Sequence, residues 1–192
     1  MKSHAGLLSL CLLLPPPVPA GAAGGSDLEI DPAASRVEFS LRTRWGQALE
    51  GRFPVWRGVV VEMPGGEWQV RLRLDARAVE IVGHPRYTRL TRDEGFFHVR
   101  RWPDVELQSG PFPPGLLQHG GELSGVVGMR GRRLAEVFTV APAACDRPLL
   151  DCPVVVEGEV SRTDYGMDRW SMAVGDRVRF HLSLQAQEPG PT

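Results

Sequence analysis

The sequence predicts an all-β protein, an antiparallel closed barrel of about eight strands with one short helical insertion. Three observations predict it. Apolar and polar residues alternate with period two over most of the chain, glycine-containing turns punctuate that alternation, and a single stretch, residues 76–97, interrupts it.

The elements follow in order. In Val37-Glu38-Phe39-Ser40-Leu41-Arg42 the two faces separate cleanly. Over residues 55–63, Val55, Arg57, Val59, Val61 and Met63 share one face, opposite Trp56, Gly58, Val60 and Glu62. Trp68, Val70, Leu72 and Leu74 then alternate with Gln69, Arg71 and Arg73, and Gly65-Gly66 between the two runs is a hairpin signal. Further strands are expected over residues 105–108, 123–130 and 134–140. The stretch from Val154 sets Val154, Val156, Gly158 and Val160 on one face and ends in a turn at Asp164 and Gly166. Asp bonds the backbone two residues on, and Gly tolerates positive φ. Tyr165, Met167 and Trp170 crowd this turn, where a solvated loop has no use for them. Residues 178–185 complete the series. Within the interruption, Arg86–Asp93 reads as a short helix with Pro85 just inside its start.

A barrel of about eight strands is either filled by its own side chains or holds one slender ligand. The inward set, Phe39, Leu41, Val59, Leu72, Leu74, Phe180 and Leu182, is bulky and apolar. Such a lumen disfavours charged or sugar-like guests, whereas an alkyl or prenyl chain gains about 0.8 kcal/mol per buried methylene.

Residues 1–22 read as a secretory signal peptide: Lys2, an apolar run over 5–14 and the small-residue site Ala20-Gly21-Ala22. Residues 23–187 are then one domain and 188–192 a disordered tail. No later run is long enough to span a bilayer. Cys11 falls in the leader, so the mature chain keeps Cys145 and Cys152. In an oxidising compartment this pair is expected to close a small loop as a disulfide. A zinc site needs four ligands, and the redox C-x-x-C spacing is absent. Periplasmic or secreted localisation follows from the leader.

Charge is nearly balanced, 22 Lys and Arg against 23 Asp and Glu, with the arginines interspersed among acids. That argues against nucleic acid, which calls for a one-sided basic surface. No enzyme is expected: there is no H-x-x-x-H, no G-x-S-x-G and no triad-like grouping around Ser35 or Ser161. Asp164 and Asp168 read as turn formers. No metal site and no cofactor is expected, beyond a bound isoprenoid or other lipid.

Arg162-Thr163-Asp164-Tyr165-Gly166-Met167 resembles the R-[ST]-D-[FY]-G-M signature of the YceI-like lipid-binding family. Leu28–Phe39 resembles that family's opening, Y-x-I-D-x-x-H-S-x-V-x-F, and Gly51-Arg52-Phe53 with Gly58 resembles its G-x-F followed by a glycine. Phe96-Phe97-His98-Val99-Arg100-Arg101-Trp102-Pro103 is similar to F-F-D-V-x-x-Y-P, and residues 125–131 weakly echo G-x-L-T-x-x-G. The resemblance implies a lipocalin-like secreted barrel holding a polyisoprenoid or another long apolar chain. The polar lettering departs from the family: Ala34 and Thr43 stand for His, Ala78 and Ile81 for Ser and Thr, Tyr87 and His98 for Asp.

The expected function is a secreted or periplasmic carrier enclosing a polyisoprenoid, quinone tail or fatty-acid-like lipid. Its candidate lining is Phe39, Leu41, Phe53, Val59, Leu72, Leu74, Phe96, Phe97, Met129, Phe138, Met167, Trp170, Phe180 and Leu182. The alternative is a structural or partner-binding barrel with a side-chain-filled core. A homodimer is left open.

Overall fold

The computed structural model describes residues 27–187; the expected leader and tail lie outside them. The strands are β1 (Leu28–Glu29), β2 (Arg36–Thr43), β3 (Ala48–Arg52), β4 (Trp56–Glu62), β5 (Trp68–Asp75), β6 (Glu80–Ile81), β7 (Asp104–Ser109), β8 (Gly121–Met129), β9 (Arg132–Val140), β10 (Val154–Ser161) and β11 (Val174–Leu184). They form one antiparallel sheet in the order β1-β4-β5-β7-β8-β9-β10-β11-β2-β3-β6. Among the described residues two short α-helices interrupt it, α1 (Pro85–Arg92) and α2 (Gly115–His119), with a 3-10 turn at Ala76–Ala78.

The sheet curls back on itself. β1, paired to β4, also meets the continuation of β11 through the bridge Ile30–Ala186. There the Asp31 N–H donates to the Gln185 carbonyl at 2.8 Å, and the Gln187 N–H to the Glu29 carbonyl at 2.8 Å. Ser35 locks the seam, its Oγ accepting from the Gln185 N–H at 2.8 Å.

The class is the expected one, but there are eleven strands instead of about eight. β1 and β6 are two residues each and β3 is Ala-Leu-Glu-Gly-Arg, too short for a period to register. The predicted hairpin forms at Gly65-Gly66, both at positive φ, and α1 lies one residue from its predicted place. One facing is reversed. On β4 the inward residues are Trp56, Gly58 and Val60, so Val59 lies half-buried on the outer face. The Gly-Val-Val-Val run is apolar on both faces, and alternation alone does not choose between them. Packing does: a Cβ on Gly58 would lie 2.4 Å from Leu72 Cδ2, so Leu72 occupies the space the glycine leaves.

Antiparallel register gives the barrel two unlike ends. At one end, the base, α2 and the 145–152 loop sit over the core, with Leu117 and Leu149 buried. Cys145 and Cys152 form the expected disulfide. The loop is tied to β11's continuation, the Ala186 N–H donating to the Leu149 carbonyl at 2.7 Å and Gln185 Nε2 to the Leu150 carbonyl at 3.0 Å. At the other end, the mouth, lie the β2–β3 and β8–β9 turns, the β10–β11 connection, α1 and Phe96-Phe97.

Candidate functional site

A cavity of about 340 Å³ opens at the mouth. Phe39, Leu41 and Thr43 of β2 line one wall, with Leu49 of β3 and Ile81 of β6 beside them. α1 supplies Arg86, Tyr87, Leu90 and Thr91; β10 and β11 supply Val160, Val174, Val178 and Phe180. Phe96, Phe97, Met129, Met167, Trp170 and Trp45 complete it. Side chains at i, i+3 and i+4 share a helix face, which is why Tyr87, Leu90 and Thr91 reach the cavity together. Thr88 pins the helix, its Oγ1 accepting the Ile81 N–H at 2.9 Å.

The floor is aromatic. Phe39 and Phe180 stand 6.2 Å apart between ring centroids, and Phe39 lies 5.5 Å from Phe53, which meets Phe97 edge-on at 5.8 Å. Such tilted and edge-on pairs hold a floor more firmly than area burial alone. The rim reaches solvent at Trp45 (78% exposed) and Trp170 (55% exposed), with Met172 beyond it at 89%.

Arg162, only 2% exposed, holds the mouth loop in place. Its guanidinium donates to the carbonyls of Gly175 (2.9 Å), Arg169 (2.9 Å), Val174 (3.2 Å) and Met167, and lies 5.7 Å from the centre of the Phe96 ring. Burial lowers its pKa from the ordinary arginine value, opposed by the charges of Asp176 and Asp168. Arginine titrates so high that it stays cationic, so its rigid donor fork survives inside the protein. Asp176 is held below the usual carboxylate range. Burial acts against its charge, but hydrogen bonds from Ser161, Thr163 and the Thr163 N–H, with Arg162 nearby, outweigh it. Tyr165 is buried and donates to Glu136 at 2.7 Å; burial first, then that bond, pushes its pKa far above the ordinary phenol value. Gly166 supplies the positive φ the turn needs. The signature stretch is therefore a clamp that sets Met167 and Trp170 at the cavity.

Of the fourteen residues singled out from sequence, Phe39, Leu41, Phe96, Phe97, Met129, Met167, Trp170 and Phe180 line this cavity. Six do not. Val59 is on the outer face, and Phe53 and Leu74 are buried in packed core. Leu72, Phe138 and Leu182 meet around a void of only about 50 Å³ in the base half. The lumen is thus nearly filled by strand side chains in its base half and hollow at the mouth.

Sequence reasoning missed Thr43, Trp45, Leu49, Ile81, the α1 residues, Val160, Arg162, Ala173, Val174 and Val178. A signal for part of this was present: Thr43, Ile81 and Tyr87, three positions that depart from the family lettering, all face the cavity. Ser35 and Ser161 spend their hydroxyls on local structure, at the seam and at the turn. Among the described residues no His, Cys, Asp and Glu side chains group to hold a metal ion.

Comparison with solved structures finds the same fold. BcnA of Burkholderia cenocepacia matches with a TM-score of 0.62 at 17% identity, over 81% of this chain and 98% of that one. The polyisoprenoid binding domain from Saccharophagus degradans implicated in plant cell wall breakdown matches with a TM-score of 0.60 at 16% identity, over 83% and 98%. The Campylobacter jejuni YCEI protein follows with a TM-score of 0.54 at 12% identity, over 72% and 85%. No curated protein sequence matches. Residues 28–186 match the YceI-like domain, nearly the whole described chain, and the protein belongs to that family.

Proposed function

We propose that the protein is a secreted or periplasmic binding or carrier protein that encloses a long apolar chain: a polyisoprenoid, a quinone tail or a fatty-acid-like lipid. The mouth cavity carries this reading. Its roughly 340 Å³ fall within the ~300–1,000 Å³ of small-molecule sites, and its walls are overwhelmingly aromatic and aliphatic. Each methylene buried there gains about 0.8 kcal/mol, so a chain binds without a strong polar contact. Met129 and Met167 adapt to guests of differing shape. A cavity of this size seats part of a long chain, the remainder leaving past Trp45 and Trp170.

The polyisoprenoid-binding description of a structural neighbour supports the ligand class, though at 16% identity the likeness speaks for the fold. The disulfide supports an oxidising compartment, in line with the leader expected over residues 1–22. Native mass spectrometry of protein purified from its own envelope tests the reading. The expected result is a co-purifying apolar mass, or uptake of farnesol by the delipidated protein. Absence of any such mass, with no uptake of farnesol or longer prenols, overturns it in favour of a ligand-free barrel.

A further inference from the structure

Beside the mouth, across α1 from the cavity, lies a groove lined by Arg86, Arg89, Arg92, Arg100 and Arg169, with His98 and, opposing them, Asp93 and Glu94. Five guanidiniums against two carboxylates leave a surplus of three positive charges. Elsewhere seven arginines, Arg52, Arg73, Arg77, Arg133, Arg147, Arg177 and Arg179, are in ion pairs. Among the described residues no ion pair reaches Arg86, Arg89, Arg100 or Arg169, although Asp93 and Glu94 share their groove.

Two features make this more than a solvated charge run. The groove adjoins the apolar cavity, because Arg86 and Leu90 of α1 line both. Arg169 is also placed, not merely exposed. Arg162 holds its carbonyl at 2.9 Å, and its aliphatic stem lies over Gly95, where a Cβ would come within 2.7 Å of Arg169 Cδ. On the helix side Arg92 is anchored by its Nη2 on the Val79 carbonyl at 2.8 Å. Clustered like charges repel one another, and an anion seated among them relieves that repulsion; the donor forks of guanidiniums suit phosphate or carboxylate oxygens.

We infer that the chain held in the cavity carries an anionic head, a phosphate or carboxylate, and that Arg86, Arg89 and Arg169 receive this head while the tail enters past Trp170. The inference rests on the cavity being the lipid site. It assigns the ligand class as a single-chain anionic amphiphile in place of a neutral prenol or hydrocarbon.

The test compares farnesol, farnesyl monophosphate and inorganic phosphate by calorimetry on the full mature chain, with the Arg89→Gln/Arg169→Gln variant alongside. Neither of these arginines lines the cavity. At low ionic strength farnesyl monophosphate is expected to bind about tenfold or more tighter than farnesol, with the preference shrinking as salt screens the arginines. The variant is expected to lose most of that preference and keep the farnesol affinity, with an unchanged melting curve. Equal affinities for alcohol and phosphate, or a preference that survives in the variant, overturn the inference and leave the cavity reading standing. Inorganic phosphate binding as tightly as farnesyl monophosphate overturns it in favour of a free-anion site. Failure of both prenyl compounds to bind removes the cavity reading itself, and this inference with it.

Discussion

The tip of the Phe39 ring lies over Gly51, its register partner on β3, so that a Cβ built on the glycine would sit 2.1 Å from Phe39 Cζ. Gly51→Ala therefore forces the ring off a floor that it shares with Phe53 and Phe180. Overpacking of this kind costs about 1–3 kcal/mol, to be read as a lower urea midpoint. The ring's other escape is upward into the cavity, so lipid uptake is expected to fall in the same variant. Unchanged stability together with unchanged uptake would contradict the placement of Phe39.

Arg162 answers several carbonyls at once, and no other side chain reproduces its fork. Arg162→Met leaves those acceptors unpaired in a buried site, at about 1–3 kcal/mol for each one not rescued by water. Arg162→Lys should fare little better, since one ammonium cannot span them. Hydrogen exchange should show residues 163–175 opening in both variants before the rest of the barrel does. Uniform protection across that segment would disprove the clamp.

The hollow and solid halves of the lumen separate cleanly by size probes. Leu41→Trp places bulk in the cavity, where there is room; it is expected to abolish lipid uptake while changing stability by less than about 1 kcal/mol. Leu72→Trp places the same bulk in the packed half, against Phe138 and Leu182, and should cost about 1–3 kcal/mol with uptake retained. Titration of both variants with farnesol, alongside urea melts, reads the two outcomes.

These two halves also show how far the sequence was legible. Alternation identified β2, β5, β10 and β11 and their inward faces, because each strand has one polar side to set against its apolar side. It failed at Val59, where both sides are apolar. It also could not tell which inward residues touch each other and which face a void: Leu72 and Leu41 read alike in sequence, yet Leu72 sits over Gly58 among Phe138, Val156 and Leu182, whereas Leu41 faces the mouth cavity. The signature stretch drew notice for its aromatic and Met residues, yet its buried arginine was legible only as a letter of a family motif. What that arginine bonds is backbone, and backbone acceptors leave no mark in a sequence.

Acid should weaken the clamp. Asp176 has a folded pKa below the usual carboxylate value, so its contribution is complete above an unfolded pKa of about 3.9 and disappears as pH falls through the lower folded value. Asp75 and Asp104 are lowered in the same direction by hydrogen bonds from Arg77 and Arg73, and share this acid limb. Asp176→Asn should lose about 1–2 kcal/mol at neutral pH and flatten the acid limb without abolishing it. Urea midpoints followed from neutral pH into acid measure this; a wild-type slope in the variant would rule out the assignment.

Reduction should loosen the opposite end. The Cys145–Cys152 bridge closes a loop that inserts Leu149 into the core and bonds the continuation of β11. Cys145→Ser with Cys152→Ser is expected to cost about 2–3 kcal/mol, with faster exchange at the Ala186 amide. Lipid uptake should persist, since the bridge and the cavity lie at opposite ends.

The seam at Ile30 and Ala186 has a consequence for how the molecule comes into being. A ribosome or a translocon releases the N-terminal side first, yet β1 finds its second neighbour only when the strand leaving Leu184 has emerged. Ring closure is thus postponed until almost the entire described chain is available, and the oily interior stays accessible to solvent and to helpers for that whole interval.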